Sequence, residues 1–179
     1  MKEALRMHHL SQHIRSVPDF PSKDVVFRDI SPLLEMYFNE TVEAMAEILE
    51  EEAIVIDAFA GVDARGFIFA AALAQYFGKN FKMIRKAGKI PPPFSEMAYD
   101  TEYSTAEMQV GHGKGRLIIV DDVLATGGTM TAAAELCVKA GYKVEGLVTL
   151  IDLPFIHNHS YQWNGLKVKS LISYNSPLA

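Results

Sequence analysis

The segment Leu117-Ile-Ile-Val-Asp-Asp-Val-Leu-Ala-Thr-Gly-Gly-Thr-Met130 joins an apolar run to two adjacent carboxylates and then to a loop of small and hydroxylated residues. Glycines at 127 and 128 permit tight turns and let backbone N–H groups approach an anion, while Thr126 and Thr129 add hydroxyl donors at a helix start. That is a phosphate cradle. The spacing differs from Gly-x-x-x-x-Gly-Lys-Ser/Thr and carries no lysine, so one terminal phosphate fits better than a triphosphate chain. Asp121 and Asp122 would repel such a ligand unless they accept hydrogen bonds from hydroxyls or help to hold a cation. A sugar phosphate meets both demands.

The elements that must position this segment alternate along the chain. Ala53–Phe59, Phe81–Ile84, Leu117–Val120 and Val144–Ile151 are short apolar runs rich in β-branched residues and are predicted strands. Ala64–Tyr76 and Thr129–Ala140 are predicted helices, the second stopping at Gly141. Ahead of them, Lys2–Ile14 has modest helical amphipathicity before the break at Val17-Pro18. Val42, Met45, Ala46 and Leu49 recur at helical spacing behind Asn39 as a cap, and the acidic run Glu50–Glu52 opposes the helix dipole and should fray that end. Strand-helix alternation predicts an α/β fold with a parallel sheet covered on both faces and a ligand site beyond the C-terminal ends of its strands.

Lys86–Arg116 breaks the pattern with Pro91-Pro92-Pro93 and Gly111-His-Gly-Lys-Gly115. Tyr103, Thr105, Glu107 and Gln109 alternate with Ala106, Met108 and Val110, which predicts a hairpin arm, and a long insertion of this kind suits a lid.

Composition bounds these readings. A chain of 179 residues implies one domain, and 49% hydrophobic with 22% charged residues excludes a disordered or fibrous protein. Seventeen basic residues against 22 acidic ones leave a net charge of −5, so no global positive field draws in nucleic acid or an anionic membrane. The longest apolar stretch, Gly66–Phe77, falls short of the roughly 20 residues a membrane span needs. Cys137 is the only cysteine and the N-terminus lacks the apolar core of a secretory signal, so a cytoplasmic protein is expected.

The ordered string of apolar strand, acid pair and Thr-Gly-Gly-Thr loop resembles the signature of the type I phosphoribosyltransferases. Further segments follow in one order: Pro18-Asp-Phe-Pro21, Val25-Val-Phe-Arg-Asp-Ile-Ser-Pro32, Gly61-Val-Asp-Ala-Arg-Gly-Phe67, Ile84-Arg-Lys-Ala-Gly-Lys89 and Glu102-Tyr103. Over roughly residues 10 to 175 they are similar to the adenine-using branch of that family. The resemblance implies one domain over 1–179, with a mostly parallel central sheet flanked by helices, a small hood formed with residues 1–35, and a lid arm over 86–116. It also implies the reaction of adenine with 5-phosphoribosyl 1-pyrophosphate to give AMP and pyrophosphate, with Mg2+ held mainly through substrate and water, near Asp63.

The same resemblance implies residue roles. Asp121 and Asp122 accept from the ribose hydroxyls, and Ala125, Thr126, Gly127, Gly128 and Thr129 hold the 5′-phosphate. Arg65 in its Gly-flanked turn, with Arg85, Lys86 and Lys89 after a strand, would take the pyrophosphate. Main-chain groups around Val26 and Arg28 would read adenine, with Leu124 packing on the base and Phe27 and Ile30 in the core. Tyr103 would close over the sugar and Glu102 would handle a ring proton of the base. Pro92 and Pro93 stand where the family commonly has a glycine after the first proline, and Ser104-Thr105 replace a glycine and a basic residue found in some relatives. His157, His159 and Trp163 are expected on surface loops, and a homodimer follows from the resemblance alone. Transfer to another purine, or a ligand-sensing regulator on the same fold, are the competing readings.

Overall fold

The computed structural model describes residues 2–50, 55–100 and 105–177. In chain order the elements are α1 (Lys2–Ser11), β1 (Arg15–Pro18), β2 (Val26–Asp29), α2 (Ser31–Glu50), β3 (Ala58–Val62), α3 (Gly66–Tyr76) and β4 (Asn80–Lys86). Then follow β5 (Phe94–Asp100), β6 (Thr105–Gly111), β7 (Arg116–Leu124), α4 (Gly128–Lys139), β8 (Lys143–Asp152), β9 (Gln162–Trp163) and β10 (Leu166–Ser173).

One eight-stranded sheet runs β5-β6-β4-β3-β7-β8-β10-β9. Its five middle strands, β4 to β10, are mutually parallel, and the hairpin β5–β6 and the short β9 add antiparallel edges. Central β3 is buried along its whole length, as a strand covered on both faces must be. Leu10, Leu33, Met45, Phe59, Phe69 and Leu73 pack on the face covered by α1, α2 and α3. Ile84, Leu117, Ile119, Met130 and Leu136 pack on the opposite face under α4. Each such side chain contributes about 1.5 to 3 kcal/mol when fully buried.

The sheet positions the site as the alternation requires, with several shifts. The first predicted strand starts at Ala58, because Asp57 is turned to Arg116: its carboxylate accepts from the Arg116 N–H, Nε and Nη2 at 2.8, 3.1 and 3.1 Å. Helix α2 starts at Ser31 rather than behind Asn39. Asp29 Oδ1 accepts from Ser31 N at 3.0 Å and Ser31 Oγ at 2.7 Å and so holds that start. Tyr37 breaks α2 with non-helical angles (φ −134°, ψ 30°), and its ring meets His9 and His13 where α1 docks. The expected fraying at Glu51 and Glu52 lies outside the described residues. Helix α4 stops as predicted: Gly141 at φ +103° donates to Val138 O, and Tyr142 N donates to Cys137 O.

The arm over 86–116 is not a free lid along its length. Strands β5 and β6 pair from Phe94↔Gly111 to Asp100↔Thr105, and β6 is stitched to β4 at Arg85↔Gln109 and Lys86↔Met108. Gln109, expected on the polar side of the hairpin, is only 4% exposed. It accepts from Gly88 N and donates to Glu96 Oε1, and those bonds satisfy its buried amide.

Candidate active site

Strand β7 runs to Leu124, so the acid pair lies inside the strand rather than after it. Ile119 and Leu124 belong to the α4-side core and Val120 and Val123 to the opposite one, so the strand's alternation slips by one residue across Asp121 and Asp122. Beyond it, Gly127 takes φ +90° and α4 begins at Gly128. Gly128 N donates to Thr126 Oγ1 at 3.4 Å. No acidic side chain occupies the first turn of α4, so the positive helix end and its unpaired N–H groups are open to an anion.

Asp122 is 6% exposed, and its Oδ2 faces Arg65 Nε at 2.8 Å as a charge contact rather than a directed hydrogen bond. Asp122 N donates to Asp121 Oδ1 at 2.9 Å. Burial raises Asp121 well above the ordinary carboxylate range, with repulsion from Asp122 adding to it. Burial also raises Asp122, and Arg65 opposes that rise. Gly66 permits this closeness, because a Cβ there would stand 2.6 Å from Val120 O.

At the neighbouring strand ends, Arg85 Nε faces Asp63 Oδ2 at 3.5 Å and Arg85 Nη1 donates to Lys89 O at 3.3 Å. Lys86 and Lys89 are exposed beside them. Tyr99 of β5 reaches the same region: burial raises its phenol, and the carboxylates of Asp121 and Asp63 raise it further. The basic residues Arg85 and Lys86 at the end of β4 and Lys89 beyond it, the arginine before α3 and the loop after β7 therefore converge on one end of the sheet.

An adjoining cavity of about 310 Å³ is walled by Val26, Phe27 and Arg28 of the N-terminal ribbon, by Arg65, and by Val123 and Ala125 flanking the end of β7. Two expectations change here. The Leu124 side chain is buried in the α4-side core and Val123 takes the cavity wall, a result of the slipped alternation. Phe27 lines the cavity under the Arg65 guanidinium, 5.0 Å from the ring centroid, while Ile30 is core as expected. The Arg28 side chain turns away to Ser16 Oγ and Pro177 O and lies 3.9 Å over the Tyr174 ring.

Leu153, Phe155 and Ile156, in the loop after β8, and Pro177 complete the wall, and none was singled out from sequence. The rule that sites lie past strand C-termini could have flagged the first three. His157 is not a loose surface residue. Its side chain is 9% exposed and Nε2 meets Asp152 Oδ1 at 2.8 Å, whereas His159 is exposed and Trp163 half-buried. Glu102 and Tyr103 lie outside the described residues. Among the described residues no three ligating side chains cluster for a metal, and no helix is long and apolar enough to cross a membrane.

An anion loop, an acid pair, an arginine cluster and an apolar slot thus stand side by side, and comparison with known proteins gives that arrangement a context. Residues 35–164 match the phosphoribosyl transferase domain family. The chain is 45% identical over 170 residues to the adenine phosphoribosyltransferase of Bdellovibrio bacteriovorus, covering 92% of this chain and 99% of that one. For the Hydrogenovibrio crunogenus protein of the same name the identity is 44% over 174 residues, covering 96% and 99%. The fold is similar to the crystal structure of adenine phosphoribosyltransferase from Thermoanaerobacter pseudethanolicus (TM-score 0.85, 36% identity, 94% and 99% coverage). It is also similar to the Saccharomyces cerevisiae enzyme complexed with an imino-altritol bisphosphate and adenine (TM-score 0.85, 29% identity, 94% and 99% coverage). The chain belongs to the phosphoribosyl transferase domain family and, within it, to the adenine phosphoribosyltransferases.

Proposed function

We propose that this chain joins adenine to the anomeric carbon of 5-phosphoribosyl 1-pyrophosphate, releasing pyrophosphate and forming AMP. The observation that carries the reading is Arg65, which lines the apolar cavity over Phe27 and at the same time meets Asp122 beside the phosphate loop. Base slot and sugar-phosphate cradle therefore share a wall, as a reaction joining the two requires. A ligand-sensing regulator is less favoured, since a net charge of −5 offers no positive field to draw in nucleic acid.

The amides and hydroxyls of residues 126–129 hold the terminal phosphate, and Asp121 and Asp122 accept from the ribose hydroxyls. The apolar cavity takes the flat base, and backbone groups at Val26 and Arg28 match its amino group and ring nitrogens. As the anomeric C–O bond breaks, its electron pair leaves with pyrophosphate, where Arg65, Arg85 and Lys89 offset the charge. A ring nitrogen of adenine forms the new C–N bond and gives up its proton, to Glu102 in this reading. Tyr103, between β5 and β6 in the sequence, covers the sugar and excludes water in this reading.

Magnesium fits as part of the diphosphate complex rather than in a protein cage, because Asp63 and Asp122 each already face a guanidinium. Asp63 would hold it through water, and the ion would supply charge neutralisation on the leaving group.

Phe81 and Met83 are exposed on one face of β4, and Phe67 of α3 meets Phe81 edge-on at 5.9 Å. This apolar strip supports a homodimer, which sedimentation would read directly. A cytoplasmic setting accords with the single cysteine, Cys137, which is buried.

Incubation with 5-phosphoribosyl 1-pyrophosphate, magnesium and each purine base in turn tests the assignment. AMP from adenine alone is expected. Exclusive use of hypoxanthine, guanine or xanthine would overturn it.

A further inference from the structure

One aromatic ring covers Gly127 in the loop that leads into α4. A Cβ on Gly127 would lie 2.2 Å from two ring carbons of Tyr161, so that ring rests directly on the glycine backbone. The Tyr161 hydroxyl shares a hydrogen bond of 3.0 Å with Thr131 Oγ1 in the first turn of α4. The side chain therefore spans from the turn that bends the loop to the helix whose N-terminus supplies its donors.

Tyr161 is itself held from behind. Its N–H donates to His157 Nδ1 at 3.4 Å, and His157 Nε2 meets Asp152 Oδ1 at the end of β8 at 2.8 Å. Donation from Nε2 to the carboxylate and acceptance at Nδ1 are compatible in one neutral tautomer. The segment between is wound on itself: Ile156 N donates to Leu153 O, His159 N to Pro154 O, and both Ser160 N and Ser160 Oγ to His157 O. Leu153 N also donates to Leu124 O, joining this segment to the end of β7.

We infer that Tyr161 is a positioning residue for the phosphate loop, bracing Gly127 with its ring and Thr131 with its hydroxyl. The inference rests on the reading of residues 125–129 as a sugar-phosphate cradle. Tyr161 acts on the cradle through Gly127 and Thr131. It limits the conformations of a loop whose glycines would otherwise lose more freedom on binding.

Ribose 5-phosphate binding by calorimetry, steady-state kinetics and thermal melting of the full chain carrying Tyr161→Ala, Tyr161→Phe or His157→Ala test this. Tyr161→Ala should raise the ribose 5-phosphate Kd and the KM for 5-phosphoribosyl 1-pyrophosphate about tenfold and leave the adenine KM within about twofold. Tyr161→Phe, which keeps the ring, should bring both constants back to within about threefold of the parent. A folded Tyr161→Ala protein with unchanged Kd, or with equal rises for both substrates, would overturn the inference. If Tyr161→Ala fails to fold, His157→Ala decides: a rise in Kd of about threefold supports the brace, and an unchanged Kd refutes it. A parent protein that binds ribose 5-phosphate without turnover defeats the proposed reaction while leaving the brace to be judged by Kd. A parent that does not bind it defeats both.

Discussion

Arg65 and Asp122 meet at 2.8 Å across the junction of α3 and β7, so the arginine that contacts the acid pair also walls the apolar cavity. The arginine offsets the buried Asp122 carboxylate, and the neighbouring Asp121 is offset less.

That asymmetry separates the two acids by mutation. A carboxyl group raised above its unfolded range costs stability once pH exceeds that range, because the unfolded chain ionises more readily. Asp121→Asn should therefore raise Tm near neutral pH by about 2 to 4 °C, the shift expected for about 1 kcal/mol in a chain of this size, while kcat/KM falls about 100-fold or more. Asp122→Asn should lower activity by a similar order with Tm within about 2 °C, because it removes both a buried charge and the partner of Arg65. Melting curves and initial rates check both, and a destabilised Asp121→Asn protein would contradict the first.

Base recognition should be separable from sugar-phosphate binding. Phe155→Ala opens the cavity wall away from the acid pair, so the adenine KM should rise about tenfold or more with little change for 5-phosphoribosyl 1-pyrophosphate. Varying each substrate in turn reads this.

Gly66→Ala tests the close approach of α3 to β7. The added methyl meets Val120 O at 2.6 Å, a backbone atom that cannot rotate away, so α3 must shift and Arg65 with it. A loss of about 1 to 3 kcal/mol in stability is expected, with activity falling further than stability alone accounts for. Denaturant unfolding and a rate assay on the folded fraction distinguish the two effects.

The acid limb of stability should trace to Asp57. Hydrogen bonds from Arg116 lower its carboxyl from 3.8 to about 2. Because the folded value lies below the unfolded one, the stabilisation is present above about pH 4 and is lost as pH falls toward 2. Tm profiles of parent and Asp57→Asn should converge at the acid end and separate above pH 4. Profiles parallel throughout would reject the assignment.

The parallel sheet, α3, α4 and the phosphate loop were legible because their apolar runs, glycines and helix stops agree with one another. The glycine turn at Gly127 and the helix start that follows it were readable on the same grounds. Strands β1 and β2 were not: Arg15–Pro18 and Val26–Asp29 are four residues each, partly exposed, and pair only with each other. Leu124 was expected on the base from the resemblance alone, and the structure instead buries its side chain in the α4-side core. Gln109 was misread because alternation holds but the outward side is covered and the amide finds partners there. Phe155 and Ile156 looked like an ordinary apolar stretch after a strand.

The cavity wall has a further consequence. Arg28 donates to the carbonyls of Ser176 and Pro177, and Pro177 itself borders the cavity, so the amino-terminal ribbon and the carboxyl-terminal tail wall the cavity together. An affinity tag that continues the chain beyond Pro177 follows a residue of this wall, whereas one placed ahead of α1 precedes a helix that takes no part in it. Protein tagged at the two ends should therefore differ in apparent affinity for adenine, although no residue has been changed.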